Sequence, residues 1–453
     1  MEIALLEKEP ILGGQISTLH HDDFLIEEGP ESFVRYKKGG LELCEALGLQ
    51  NELIVPHPKN RSTFILKNGK LVHFPRGVMN PFSQSIFSLI STFLFTPLLS
   101  SKGKLRLALE PWIPPRNSGS DETIEAFANR RLGAEFCQNL LLPLLSGVYG
   151  PEAGSLSVRA LLKEYASAEQ TSGSIFRALR KKQSTEKTPL HSTKSIETSV
   201  FISLHGGLAK LVQALQDSLT ECHIVVNTRV RSIEKNSSGY GIFTQAGEKL
   251  MEADALLMAT PAYMTASLVR PIDPELAHRL DSIPYGSGLV FTFGFYDNQV
   301  KRPLRGTGFL VPKKEKLPFH ACTWSSSKWT DRAPKGKVLI RTYVSISEQF
   351  TDFEQLRNSV LDALRHILKI SGEPILSETH PHFRSLPQYP LNYEDTLASI
   401  RQSLTKHRGL FLAGAAYGGV GIPDCILSAD NAGGELLAYL EKGFVPGGEK
   451  KFH

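Results

Sequence analysis

The sequence predicts a mixed α/β (α+β) fold, and three stretches predict it. Near the C-terminus, residues 410–414 (LFLAG) form a short apolar run stopped by glycine, the mark of a buried strand. An uncharged loop with Gly418, Gly419 and Gly421 follows, then an apolar helical period that Asp424 can cap. At the other end, residues 2–7 (EIALLE) read as a buried strand ending on the carboxylate of Glu7, with the double glycine Gly13–Gly14 after it. Between them, residues 262–395 alternate strands (GLVFTFGFYD, GTGFLVP, FHACTWSSS, KVLIRTYV) with one amphipathic helix (EQLRNSVLDALRHIL). That alternation fits a mixed sheet under a helical cover.

The chain of 453 residues exceeds the size of a single core, so two or three domains are expected. With 41% hydrophobic and 21% charged residues, it has an ordinary globular composition. A net charge of +5 is mild, and no basic stripe with interleaved aromatics appears, which argues against a nucleic-acid partner. The five cysteines are odd in number and form no CxxC, as expected for reduced thiols in a cytosolic compartment. No signal peptide is expected, because the first apolar run ends at Glu7.

Taken in order, the chain begins on a strand ending in an acid, the group a dinucleotide-binding unit offers to ribose hydroxyls. An earlier strand and a G-x-G-x-x-G turn normally come first. Here Met1 already opens the acidic strand. Glu7 alone reads as well as a solvated strand-end acid. Residues 24–33 (FLIEEGPESF) add a strand and a turn at Gly29–Pro30, where a backbone could approach a ring.

A helix around GLELCEALGL and a hairpin turning at Asn68–Gly69 come next. Residues 77–101 are expected to carry an apolar helix, with Ile86, Leu89, Ile90, Phe93 and Leu94 at helical spacing and Lys102, Lys104 and Arg106 behind it. The run is too short to span a bilayer. It fits a helix lying in the membrane interface and a buried core helix equally well. Residues 120–170 read as helical, with Ser120 as the first cap and Gly133 as a stop. Residues 177–197, basic and polar, read as a surface loop. Residues 223–235 read as one β-branched strand, and ADALLMATP as another. His380 and His382 flank Pro381, a strand-edge pair more than a metal site, so no metal is expected. There is no G-x-S-x-G, H-E-x-x-H or P-loop, and no acid or base stands out. That agrees with chemistry carried by a cofactor.

The ordered set LLEKEPILGGQIST, DDFLIEEGPESF, NRSTFILKNGKLVHFP, ETIEAFANRRLGAEFCQNLLLPLLSGVYG, FISLHGGLAKLVQAL, DALLMATPA, DRAP, SLPQYP and GVGIPDCI resembles the flavin-dependent protoporphyrinogen and coproporphyrinogen oxidases of the amine-oxidase-like FAD superfamily. Single pieces are weakly specific; the set in this order, spread over nearly the whole chain, is strongly specific. The resemblance implies FAD as cofactor and three domains. These are a Rossmann-like FAD-binding domain lacking its first strand and glycine-rich turn (1–60, 199–262 and 396–453), a mixed-sheet substrate domain (61–80 and 263–395), and a helical membrane-type domain (81–198). It implies FAD contacts at Glu7, Gly13, Gly14, Gly29, Pro30, Val230, Gly414, Gly419, Val420, Gly421 and Ile422. It also implies Arg61 as a propionate anchor, with Leu310 and Trp329 against the tetrapyrrole. A surface arginine, a sheet valine and plain core packing are the simpler readings of Arg61, Val230 and the last two.

The function so implied is oxidation of protoporphyrinogen IX to protoporphyrin IX by an FAD-dependent oxidase in haem biosynthesis, with O2 as acceptor and hydrogen peroxide as by-product. The alternative within the family is coproporphyrinogen III oxidation to coproporphyrin III. A different class of reading is a non-catalytic remnant or scaffold that binds FAD weakly for want of the first strand; a start upstream of Met1 accounts for the same observation and for the intact remaining motifs. The expected partners are the porphyrinogen, O2, a ferrochelatase receiving the product, and a peripheral membrane contact through 81–106. The expected location is the cytoplasm, on the inner face of the membrane where that contact forms. The oligomeric state is left open.

Overall fold

The computed structural model describes residues 1–75, 78, 86–116, 119–185, 199–237 and 239–442. The large mixed sheet is built on a period of two. In strand Tyr285–Tyr296, Leu289, Phe291, Phe293 and Phe295 point to one face and Gly288, Val290, Thr292 and Gly294 to the other. The apolar face meets helix Phe353–Leu368, which presents Val360, Leu361, Leu364, Ile367 and Leu368 at helical spacing. Phe291, Phe293 and Phe295 are fully buried, each contributing about 2 kcal/mol by removal of its ring from water.

This strand is second from one edge of a seven-stranded mixed sheet. The order is Leu376–Pro387, Tyr285–Tyr296, Lys337–Ile346, Ala321–Trp324, Gly308–Leu310, Thr63–Lys67 and Lys70–His73. The pairing register fixes what lies on the face away from the helix. One row crosses the sheet as Glu378, Thr292, Arg341, Thr323, Gly308 and Thr63; the next as His380, Val290, Tyr343, Ala321, Leu310 and Ile65. The Asn68–Gly69 hairpin forms as the sequence predicts, with positive φ at both turn residues.

The two chain ends build short parallel pairs. Ile3–Leu6 pairs with Cys222–Val225, and Leu256–Met258 with Leu410–Leu412. Among the described strands none joins these two ribbons. The expectation of a buried first strand is therefore corrected: Ile3 is 45% exposed. Residues 223–235 also divide. Asn227 takes a left-handed φ of 53°, and the chain leaves the parallel ribbon to enter an antiparallel three-stranded sheet at Val230.

The helical region 86–185 surrounds its own core, which includes Leu89, Leu107, Phe127, Phe136, Leu140 and Leu179. Two local readings change here. The first cap is Thr123, whose hydroxyl accepts from the amide of Ala126, and not Ser120. The expected loop at 177–197 is helical as far as Thr185, and 186–198 lies outside the described residues. The helix forms because Ile175 and Leu179 enter the core and buried Glu110 accepts from the amides of Ile175 (2.9 Å) and Phe176 (3.2 Å). Arg131, equally buried, pairs with Glu110 and donates to the carbonyls of Ile113 and Gly173.

Candidate active site

Strand Phe24–Glu27 is buried at every residue and runs straight into the turn Glu28–Gly29–Pro30–Glu31. A turn this deep must find partners for its carbonyls and carboxylates. The Glu28 carbonyl accepts from His382 Nε2 (2.9 Å), the Gly29 carbonyl from Arg341 Nη2 (2.8 Å), and the Glu31 carbonyl from the Ser203 hydroxyl (2.9 Å). The Glu27 carboxylate accepts from the Leu208 amide (2.9 Å) and Thr18 Oγ1 (2.8 Å), with Arg332 Nη2 at 3.4 Å. Glu31 meets Lys328 Nζ at 3.0 Å and accepts from the Ser325 hydroxyl.

The two carboxylates respond differently. Burial pushes Glu27 above the usual range, and Arg332, at the long end of hydrogen-bond distance, does not offset it. Burial also works against Glu31, but Lys328 and Arg341 outweigh it and hold its carboxyl at about 2. Burial lowers Arg332 as well, so both members of its pair are strained towards neutrality.

Gly29 is required by close approach: a Cβ there would lie 2.0 Å from the Gln15 carbonyl. The Gly13–Gly14–Gln15 loop therefore rests on the turn, and Gln15 also reaches His382 Nδ1 at 2.8 Å. Glu7 sits at the end of its ribbon, its carbonyl accepting from the Thr228 amide two residues before Val230. Glu7 and Val230 are thus brought to one place, and Gly29 and Pro30 to another that adjoins Gly13 and Gly14.

The C-terminal loop reaches the same segment from the other side. Lys37, seven residues beyond Pro30, pairs with Asp424 at 2.6 Å. Helix Ile422–Glu441 starts one turn earlier than the sequence reading had it: Gly421 is the cap, and Asp424 lies in the first turn, accepting from the Gly421 amide at 3.2 Å. Its carboxylate and Pro423, which has no N–H, occupy much of the positive helix end, so an anionic ligand gains less there than an uncapped terminus would give. Gly414 donates its amide to Ser428 Oγ, Val420 packs against the core containing Tyr389 and Tyr393, and Ile422 against that of Phe33.

Of the residues expected to face the substrate, Leu310 lies in a strand of the sheet, and Arg61 and Trp329 each follow a short helical turn beside it. Leu310 lies in the apolar row, against Gly147 of helix Leu142–Tyr149. Trp329 is 1% exposed, with Lys328 Nζ 4.8 Å from its ring centre. Arg61, half-buried, follows a turn tied to the 327–328 backbone through the His57 amide and the Asn60 side chain. His380 and His382 do lie on an edge strand of the sheet, and they engage Glu28 and Gln15. Sequence reasoning missed Arg341, His382, Lys328 and Glu31 as neighbours of the turn. Arg341 had a signal, a lone charge inside the apolar strand KVLIRTYV.

The family model described as flavin containing amine oxidoreductase matches residues 1–437. The chain belongs to this flavin-containing amine oxidoreductase family. The chain is similar to a coproporphyrinogen III oxidase of Bacillus subtilis, 30% identical over 97% of this chain and 92% of that protein. The chloroplastic protoporphyrinogen oxidase of Nicotiana tabacum is 26% identical over 95% of this chain and 80% of that one. A solved structure from Exiguobacterium sp. 255-15, described as a candidate protoporphyrinogen oxidase, superposes with a TM-score of 0.79 at 29% identity, covering 96% and 93% of the two chains. The chain is accordingly an FAD-dependent oxidoreductase. A Cβ at Gly29 would meet the Gln15 carbonyl and one at Gly419 the Asp424 side chain, so the protein's own packing requires both glycines, whereas the open space beside Gly14 fits a bound cofactor.

The Glu31 pair makes a pH prediction. A carboxyl held below its unfolded value contributes stability above about pH 4.5 and loses it as pH falls towards 2. In urea unfolding from pH 7 down to pH 3, the unchanged protein should lose stability more steeply than Glu31→Gln. Parallel acid slopes for the two proteins would contradict the pairing.

Proposed function

We propose that this protein is a porphyrinogen oxidase acting in haem biosynthesis, with protoporphyrinogen IX as one reading of the substrate and coproporphyrinogen III as the other. The observation that carries the proposal is likeness over nearly the whole chain to relatives so named, together with a sheet face whose apolar row could pack a macrocycle. The three bacterial coproporphyrinogen III oxidases are 27–30% identical and the plant protoporphyrinogen oxidases 25–26%, which favours coproporphyrinogen III.

FAD, when bound, accepts the hydrogens removed from the macrocycle and passes them to O2 as peroxide. Glu7 and Val230 would hold its adenosine end, and Gly13, Gly14, Gly29, Pro30 and the Gly414 and Gly419–Ile422 segments its remainder. Val290, Tyr343, Ala321, Leu310 and Ile65 would exclude water and pack the substrate, with Trp329 backing the site. Arg61 presents a planar fork suited to a propionate. Distinct clusters for most of the helices, the large sheet and the ribbon regions support the three-domain division, with Ile65, Phe74 and Leu310 of the sheet region packed into the helical core.

Membrane contact is part of the proposal. Ile90, Leu94, Phe95, Leu105, Leu109 and Trp112 are exposed, Phe95 at 80% and Trp112 at 73%. Lys102 and Lys104 lie among them in sequence, an arrangement that suits a helix pair lying on an anionic leaflet. Among the described residues no helix is long and apolar enough to cross a membrane. From such a surface the metal-free porphyrin would pass to a ferrochelatase.

The purified chain should show a flavin band and release peroxide on addition of coproporphyrinogen III, faster than with protoporphyrinogen IX. Arg61→Ala should raise KM about tenfold with kcat nearly unchanged, the loss of one charge-assisted contact. A colourless protein that stays colourless with added FAD would sink the enzyme reading. The double variant Phe95→Ser, Trp112→Ser should lose binding to anionic vesicles; retention would remove the membrane proposal.

A further inference from the structure

We propose that Arg341 and His382 are positioning residues which deliver the Glu28–Gly29–Pro30 turn to the flavin, so that the substrate sheet sets where the turn stands. The proposal rests on the reading that this turn lines the cofactor.

Two successive carbonyls of the turn, those of Glu28 and Gly29, are taken by side chains from two strands of the large sheet. The strands, Lys337–Ile346 and Leu376–Pro387, flank strand Tyr285–Tyr296 on either side. Arg341 lies opposite Thr292 in the register and His382 opposite Gly288, so both rise from the same sheet face. The spacing of the donors is therefore fixed by the sheet and not by the turn.

Arg341 is an expensive way to fill that space. It is fully buried, and its Nε has no hydrogen-bond partner among the described residues. Its Nη1 has only Glu31, at 3.8 Å. A well-packed apolar residue in such a place is often neutral or stabilising. What Arg341 supplies that an apolar residue cannot is a donor at the Gly29 carbonyl, together with a positive charge 3.8 Å from Glu31.

His382 completes the clamp. A carbonyl can only accept, so Nε2 carries the proton towards Glu28. Burial, helped by Arg341, holds the ring below its ordinary range. The structure sets Gln15 Oε1 2.8 Å from Nδ1; a neutral ring with its proton on Nε2 can only accept at Nδ1, so we assign the Gln15 amide with its NH2 towards the ring. One imidazole thus ties the Gly13–Gly14–Gln15 loop and the Glu28–Gly29 turn to the sheet edge.

The test uses the full chain, stripped of flavin and titrated with FAD, followed by flavin fluorescence and by the visible circular dichroism of the bound flavin. Arg341→Met and His382→Ala should each weaken FAD binding about tenfold and alter the dichroic band. Arg341→Lys and His382→Gln, which keep a donor, should recover affinity to within about threefold and restore the band. Unchanged affinity and dichroism in Arg341→Met and His382→Ala would overturn the proposal, as would equal losses in the donor-keeping variants. If Arg341→Met does not fold, the His382 pair decides by the same criteria. Failure of the unchanged chain to bind FAD would overturn the underlying reading itself, a result distinct from the other two.

Discussion

The structure depends on a dry ionic seam between the Phe24–Glu31 segment and the large sheet. Glu27 and Glu31 enter it from one side, and Lys328, Arg332 and Arg341 from the other. Its energetics are uneven. Glu31, with an ammonium at 3.0 Å, a second cation and a hydroxyl, gains more than burial costs it. Glu27 and Arg332 do not, since burial shifts both towards neutrality. A seam of this kind is weak evidence for stability, and its value lies in fixing geometry. Apolar surfaces of matching size can slide past one another, whereas hydrogen-bonded charges have one good arrangement.

That arrangement explains how a turn with a bare backbone at Gly29 can be rigid. Gly29 gives up its side chain so that Gln15 can lie against it, which removes local stiffness. The stiffness is resupplied from outside through Ser203, Arg341 and His382. DRAP takes part through backbone as well as side chain, for the Arg332 carbonyl accepts from the Leu25 amide while its guanidinium donates to Ser203 and the Leu204 carbonyl. Bare backbone at Gly29 and fixed geometry for the turn are reconciled by supports distant in sequence, Ser203 on one strand and Arg341 and His382 on the large sheet.

Much of the fold was legible because it rests on local periodicity. The alternation in Tyr285–Tyr296, the helical spacing in Phe353–Leu368 and the Asn68–Gly69 turn each encode their own structure. The turn at Gly29 was legible as a place of close backbone approach, although the sequence did not show that Gln15 is what approaches it. What stayed hidden depends on contacts distant in sequence. Nothing near Glu31 announces Lys328, which is 297 positions away. The break at Asn227 was missed because a run of β-branched residues looks alike whether it forms one strand or two. The helix ending at Thr185 was missed because its anchor, Glu110, lies outside its own sequence window.

The central claim is that the Glu28–Glu31 turn is held by the large sheet across the ionic seam. Hydrogen exchange in the unchanged chain and in Arg332→Met tests it most directly. The account predicts faster exchange in peptides covering 24–31 and 201–208, with 289–295 and 338–344 as protected as before. Unchanged protection at 24–31, or an equal loss through all four segments, would contradict it.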